Sequence, residues 1–268
     1  MRLDLEGITH KCLNLIQDTA NYIKIQQAKV LAGDIETKEA NSFVTYVDKQ
    51  AELMLVRGLG ELLPKATFVT EEQMVENQDS DLAWIIDPLD GTTNFLYGIP
   101  IYSISVALKV EQSVAIGVVH AINQDESFYA WDKGGAFLNK KPIKVSGESK
   151  LINALIGTGF PYEKGMRMET PFLILQRLLG HCRGVRRLGS AAMDLAYVAS
   201  GRLDGYYESS LNTYDVAGGA KIVLEAGGFV TDFKGSDTWI TGQSIMAANP
   251  SLHQELRELL NSVQSIVS

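Results

Sequence analysis

The segment Trp84-Ile85-Ile86-Asp87-Pro88-Leu89-Asp90-Gly91-Thr92-Thr93-Asn94-Phe95 does most to restrict the folds open to this chain. An apolar strand runs into Asp87, and Pro88 holds its predecessor extended while removing a backbone donor. Asp90 follows three residues later, so the spacing predicts a tight turn with both carboxylates on one side. Gly91 permits close backbone approach, and Thr92-Thr93-Asn94 reads as the start of a short helix whose N–H groups suit an anion's oxygen. Asp, Pro and Gly are also the commonest turn residues, so these residue types alone do not separate a site from an ordinary turn.

The flanking sequence supplies both kinds of regular structure. Leu5, Ile8, Cys12, Ile16 and Ile23 recur at helical spacing and predict a helix over residues 4–30. A second helix is expected from Val47 to Leu63, with Ala51, Leu55, Leu59 and Leu62 facing inward and Pro64 ending it. Gly33 to Ser42 is polar and reads as a loop. Thr67-Phe68-Val69 reads as a strand leading to Glu71-Glu72, and Ile104 to Phe137 alternates as antiparallel hairpins do. From about residue 150, strands alternate with helices; Ser190–Ser200, Tyr214–Ala226 and Leu252–Val263 are the helical candidates, and Gly227-Gly228 is a helix-end signal. The expected fold class is therefore mixed α+β and α/β. It has an N-terminal antiparallel sheet with helices (about 1–145) and a C-terminal α/β half (about 146–268), packed in layers.

The 268 residues suit one large domain, and 46% hydrophobic content is enough for a substantial core. A formal net charge of −8 argues against broad electrostatic binding to nucleic acid or to an anionic membrane. The first residues lack the layout of a secretory signal, and no apolar run approaches the ~20 residues of a membrane span, so a cytoplasmic protein is expected. Cys12 and Cys182 are far apart and read as reduced thiols; His10, His120, His181 and His253 are scattered without pairing.

Taken whole, residues 84–95 resemble the first signature of the inositol monophosphatase family. Tyr214-Asp215-Val216-Ala217-Gly218-Gly219-Ala220, running on to Glu225-Ala226-Gly227-Gly228, resembles the family's second motif, in which an aspartate opens a helix of small residues. Arg187-Leu188-Gly189-Ser190-Ala191-Ala192-Met193-Asp194 and Gly205-Tyr206-Tyr207-Glu208 also match family stretches, and the likeness spans roughly residues 38–248 in preserved order. Departures are few. Thr70 stands where the family usually has glycine, the stretch from Glu71 to Asp87 is shorter than in many relatives, and Tyr214 replaces a tryptophan.

The resemblance implies a single catalytic domain with a sugar-phosphatase-like αβαβα sandwich. It also implies Mg²⁺-dependent hydrolysis of a phosphate monoester, foremost inositol 1-phosphate. Glu71, Asp87, Asp90, Asp215 and the carbonyl of Leu89 match the family's metal ligands. Asp48 and Thr92 match its water-orienting pair, with Glu71 and Asp90 also counted catalytic. Asp90, Gly91, Thr92, Gly189, Ser190, Ala191, Glu208 and Asp215 match the substrate pocket. Lys38 lies one residue out of register with a family lysine near a third metal. The chemistry agrees: oxygen ligands without histidine or thiolate select Mg²⁺ or Mn²⁺ over zinc. Four carboxylates with a phosphate ester total about −6, which three divalent ions would balance; two to three ions are expected. Lithium sensitivity and a homodimer are further implications. Alternative substrates are fructose 1,6-bisphosphate, NADP, histidinol phosphate or a 3′-phosphonucleotide, though Thr93-Asn94-Phe95 departs from the Lys-Glu-Phe usual in relatives acting on phosphoadenosine compounds. Haloacid dehalogenase-type phosphatases carry a similar Asp-x-Asp-Gly-Thr turn, but here two residues separate the aspartates. A reading of another class is association with the transcription machinery, which one bacterial relative shows.

Overall fold

A computed structural model describes residues 3–30, 35–39, 42–161, 169–241 and 244–267. Helix α1 (Leu5–Gln27) is started by Asp4, whose carboxylate accepts from the Gly7 N–H at 3.1 Å. Its stripe of Ile8, Cys12, Ile16 and Ile23 is buried beside α2 (Tyr46–Leu62), which turns in Val47, Ala51, Leu55 and Leu59. Both helices end slightly short of expectation, at Gln27 and Leu62. The expected loop from Gly33 to Ser42 is corrected by the backbone of β1 (Ile35–Glu39), which pairs antiparallel with β2 (Ser42–Thr45). A ribbon held by main-chain hydrogen bonds does not need the apolar alternation by which strands are read from sequence. Lys38 falls in β1, where the side chains lie outside the described set.

Under α1 and α2 lies a seven-stranded sheet in the order β3 (Thr67–Thr70), β4 (Leu82–Asp90), β5 (Ser103–Val110), β6 (Ser113–Ala121), β7 (Glu126–Trp131), β8 (Gly135–Leu138) and β9 (Lys141–Ile143). It is antiparallel except where β3 runs parallel to β4, so the expectation of a wholly antiparallel sheet is corrected at that edge. The intervening residues 71–81 carry the chain back to the start of β4, as a parallel pairing demands.

The second sheet has the order β11 (Gly184–Arg186), β10 (Leu155–Thr158), β12 (Gly205–Ser209), β14 (Ser244–Ala248) and β13 (Phe229–Thr231). β10 pairs parallel with β11 and β12, while β14 pairs antiparallel with β12 and β13. Helices α5 (Ala191–Ala199) and α6 (Thr213–Glu225) fill the space between the sheets, and α4 (Glu169–Leu179) and α7 (Pro250–Val267) cover the far side. The layers run helix, sheet, helix, sheet, helix, as the resemblance implies. Helix α4 has no counterpart among the sequence candidates. Its run Phe172-Leu173-Ile174-Leu175 is continuously apolar, a pattern shared by buried strands.

The close approach of α6 to the first sheet and to α5 depends on missing side chains. A Cβ on Gly117 would lie 2.3 Å from the Gly218 carbonyl, and one on Gly219 would lie 2.6 Å from the Leu195 Cβ. Helix α6 ends in a Schellman motif: Gly227 (φ +85°) donates to the Leu224 carbonyl at 3.1 Å and Gly228 to that of Val223 at 2.9 Å.

Candidate active site

The C-terminal end of β4 does not turn sharply between its two aspartates, which corrects the expected tight turn. The strand continues to Asp90 through a bulge, with Asp87 opposite Ser105 and Asp90 opposite Ser103. Pro88, with no N–H to offer a ladder, occupies the irregular stretch, and the Leu89 N–H donates to Asp87 Oδ1 at 3.0 Å. The bulge aims both carboxylates into one cavity. Gly91 then adopts φ +97°, where a Cβ would crowd the Ile101 carbonyl at 3.1 Å, and short helix α3 (Thr92–Leu96) begins.

The cavity has a volume of about 440 Å³ and lies where α3, α5 and α6 all begin. Glu71, Asp87, Leu89, Asp90, Gly91, Thr92, Gly189, Ser190, Ala191, Glu208 and Asp215 line it, so eleven of the twelve residues expected at a site share one wall. The twelfth, Asp48, stands buried behind Thr92: the Thr92 hydroxyl lies 3.1 Å from Asp48 Oδ1 and 3.1 Å from the Leu89 carbonyl, and its single proton serves one of them. The other Asp48 oxygen accepts from the Thr45 N–H (2.9 Å) and hydroxyl (2.6 Å), closing the capping box of α2. Asp48 therefore caps its helix and faces the site at once.

Asp90 joins the two halves of the chain. Its Oδ2 accepts from the Ser190 hydroxyl at 2.6 Å and from the Ala192 N–H at 2.8 Å, at the N-terminus of α5. Asp215 occupies the third position of α6 and accepts from the Asn212 N–H at 2.5 Å. Glu208, on β12, accepts a hydrogen bond from the Tyr206 hydroxyl and fits only because residue 159 is glycine, where a Cβ would fall 2.1 Å from the carboxylate.

Six carboxylates and one guanidinium line this cavity among the described residues. Enclosure and then repulsion by Glu71, Asp90 and Asp215 hold the Asp87 carboxyl well above the usual range. Enclosure, then Glu71 and Asp90, do the same to Asp215. Enclosure pushes Asp90 up to about 6, against the pull of its Ser190 and Ala192 hydrogen bonds. Burial raises Asp48 to about 6 and Glu208 to about 7, the latter eased by Tyr206 and Arg187. As the side chains stand, no three His, Cys, Asp or Glu among the described residues form a closed ligand cage. Asp87, Asp90 and Asp215 are each engaged with the protein's own donors. The arrangement is a negatively charged pocket short of positive charge, and hard cations suit its all-oxygen donors.

Two lining residues, Asp194 and Gly159, and a residue beside the wall, Asn94, had no role in the sequence reading. Asp194, on α5, is buried with an Oδ1 that meets no donor, and burial beside Glu208 and Asp90 raises its carboxyl well above the usual range. The available signal was a lone charge in an otherwise apolar helix. Asn94 bridges the halves, its Nδ2 donating to the Ile101 carbonyl at 2.7 Å and that of Leu188 at 2.8 Å. Gly159 falls in a stretch, Thr158-Gly159-Phe160-Pro161-Tyr162, that resembles the family's bacterial pattern, but nothing in that stretch tied it to Glu208.

Comparison with known proteins places the chain in context. A family model described as the inositol monophosphatase family matches residues 7–267. The chain is 39% identical over 238 residues to a protein of Pasteurella multocida named Nus factor SuhB, covering 88% of each. It is also 39% identical over 236 residues to an inositol-1-monophosphatase of Mesorhizobium japonicum, covering 87% of each. The crystal structure of an extragenic suppressor protein suhB from Bartonella henselae superposes with a TM-score of 0.89 at 34% identity, over 95% of this chain and 98% of that one.

Proposed function

The chain belongs to the inositol monophosphatase family, and from that premise we propose that it hydrolyses a phosphate monoester in a Mg²⁺-dependent reaction, with inositol 1-phosphate as the leading substrate. The observation that carries this reading is the meeting of Glu71, Asp87, Asp90 and Asp215 in one cavity faced by helix N-termini. These four side chains and the Leu89 carbonyl would hold two to three Mg²⁺ ions, with Mn²⁺ an acceptable substitute. The fit rests on the donors, which are all oxygen, and on the burial and then the repulsion by Glu71 and Asp90 that raise Asp87 and Asp215, a repulsion that divalent cations relieve. When bound, the ions supply Lewis acidity and positive charge to the phosphoryl group.

The protein's own groups then have distinct tasks. The Thr92 hydroxyl accepts a hydrogen bond from the attacking water while donating its proton toward Asp48. Asp48, raised to about 6, has a basicity suited to taking up a proton near neutrality. Water attacks phosphorus directly, so no phosphoenzyme accumulates. The Gly91 and Thr92 N–H groups face the phosphate, and Glu208 with Ser190 reads the hydroxyls of the polyol. Gly189 (φ +89°) and Ala191 shape the same wall without side chains that would crowd it.

The test is a panel of phosphate monoesters ranked by kcat/KM: inositol 1-phosphate, fructose 1,6-bisphosphate, NADP, histidinol phosphate and a 3′-phosphonucleotide. Inositol 1-phosphate is expected first, every activity is expected to vanish with chelator, and Li⁺ is expected to inhibit. Another ranking reassigns the substrate; release independent of metal overturns the reaction class. A second reading, association with the transcription machinery, is favoured by the name of the Pasteurella multocida relative. Co-purification of RNA polymerase with both parent and Asp87→Asn protein would support it as a separate role. Its absence from both would remove it. A homodimer in the cytoplasm completes the reading, and no described helix is long and apolar enough to cross a membrane.

A further inference from the structure

Glu52 has no part in the cavity wall, yet it is fully buried on α2, one helical turn beyond Asp48. A buried carboxylate is costly unless charge or hydrogen bonds compensate it. Here both oxygens are engaged: Oε2 accepts from the Glu72 N–H and Oε1 from the Met74 N–H, each at 2.7 Å. Between these donors Gln73 adopts φ +52°, a left-handed conformation that a residue with a side chain adopts only when its surroundings enforce it. Alternating backbone conformations of this kind turn successive N–H groups toward one point and make a concavity that binds an anion. The anion in this concavity is the chain's own Glu52.

The loop so held is the one that carries Glu71, and Glu71 and Gln73 both line the cavity. On its other side the Glu71 N–H donates to the Ile86 carbonyl of β4 at 3.2 Å. Glu71 is thus pinned between the strand that presents Asp87 and the helix that presents Asp48. We propose that Glu52 is a positioning residue, an internal anion that presets the 71–74 loop so that Glu71 is in place before a metal ion arrives. One helix then sets both the Thr92–Asp48 pair and the Glu71 ligand. The proposal rests on the metal-dependent reading above.

Calorimetric Mg²⁺ titration of the parent and of Glu52→Gln tests it. The amide keeps the shape but presents a donor to one of the two N–H groups. Loss of an outer partner of a metal ligand costs about 10–100-fold in metal affinity, and the Mg²⁺ Kd is expected to rise by about that factor. KM for the phosphate ester is expected to stay unchanged, and kcat to return at saturating Mg²⁺. Glu52→Asp, too short to reach both amides, is expected to lose affinity as well. Unchanged Mg²⁺ affinity in Glu52→Gln, with or without a lower Tm, overturns the proposal. No Mg²⁺ binding by the parent would instead overturn the metal-dependent reading itself. Should Glu52→Gln fail to fold, hydrogen exchange in the metal-free parent decides: the Glu72 and Met74 amides are expected to be protected before Mg²⁺ is added. Protection gained only with Mg²⁺ would mean that the metal, not Glu52, orders the loop.

Discussion

Asp87 and Asp215 sit in the same enclosure, and burial, with the charges of Glu71 and Asp90, holds both carboxyls well above the usual range. On the proposed reading, replacing either with asparagine removes a metal ligand. Asp87→Asn and Asp215→Asn are each expected to cut Mg²⁺-dependent phosphate release by more than the ~100-fold that marks loss of an outer partner. Near-normal turnover in either, with circular dichroism unchanged, would show that the ligand assignment is wrong. Gly159 offers a separate test of the polyol end. Because its Cβ would strike the Glu208 carboxylate at 2.1 Å, Gly159→Ala is expected to raise KM for inositol 1-phosphate several-fold. Hydrolysis of a phenyl phosphate, which has no polyol hydroxyls for Glu208 to read, is expected to change little; equal loss on both would remove Glu208 from the specificity argument. At this scale the sequence was most legible where chemistry is carried by side chains in fixed order, as in Asp87, Asp90 and Asp215. Gly159 and Asp194 were not legible, because a glycine that admits a distant carboxylate, or an acid buried in an apolar helix, acquires meaning only once the chain is folded.

Among the elements, α6 links stability to chemistry. Its first turn holds Asp215, and its glycines allow the helix to lie on β5 and β6 so closely that a Cβ at Gly218 would sit 2.8 Å from the Ser105 Oγ. Gly117→Ala, which drives a methyl group into the Gly218 carbonyl, is expected to destabilise the fold by about 1–3 kcal/mol, the usual cost of overpacking a dense core. Denaturant unfolding measures it, and a loss below about 0.5 kcal/mol would mean that the helix can retreat without penalty. Amphipathic helices with a single buried stripe, such as α1 and α2, were readable from spacing alone. Helix α4 and the β1–β2 ribbon were not: one has an apolar run that strands share, and the other shows no apolar alternation. The bulge between Asp87 and Asp90 read as a turn, since Pro and Gly punctuate both and only the pairing with β5 separates them.

For the whole molecule, a cavity carrying so much like charge makes the stability of the metal-free protein depend on pH. Asp48 and Asp90 at about 6 and Glu208 at about 7 titrate above the usual carboxylate range of about 4. Between about pH 4 and 7 the folded state therefore binds more protons than the unfolded state, and stability falls as pH rises through that window. The Tm of chelator-treated protein is expected to be higher at pH 5 than at pH 8. Mg²⁺ is expected to raise Tm more at pH 8, where the carboxylates are ionised, than at pH 5; a site held at a hundredfold excess over its Kd contributes about 2.7 kcal/mol. An opposite ordering would mean that the cavity carboxylates do not govern the pH response. The layered architecture was foreseeable from the order of hairpins and helices, whereas the convergence of β4, α5 and α6 on one cavity depends on sheet order and register, which local patterns do not encode. The most direct measurement is anomalous diffraction from a crystal soaked in Mn²⁺. The account predicts peaks within coordination distance of Glu71, Asp87, Asp90 and Asp215, absent in the Asp87→Asn protein; a fully soaked crystal with no peak in this cavity, or with its peaks only elsewhere, would contradict it.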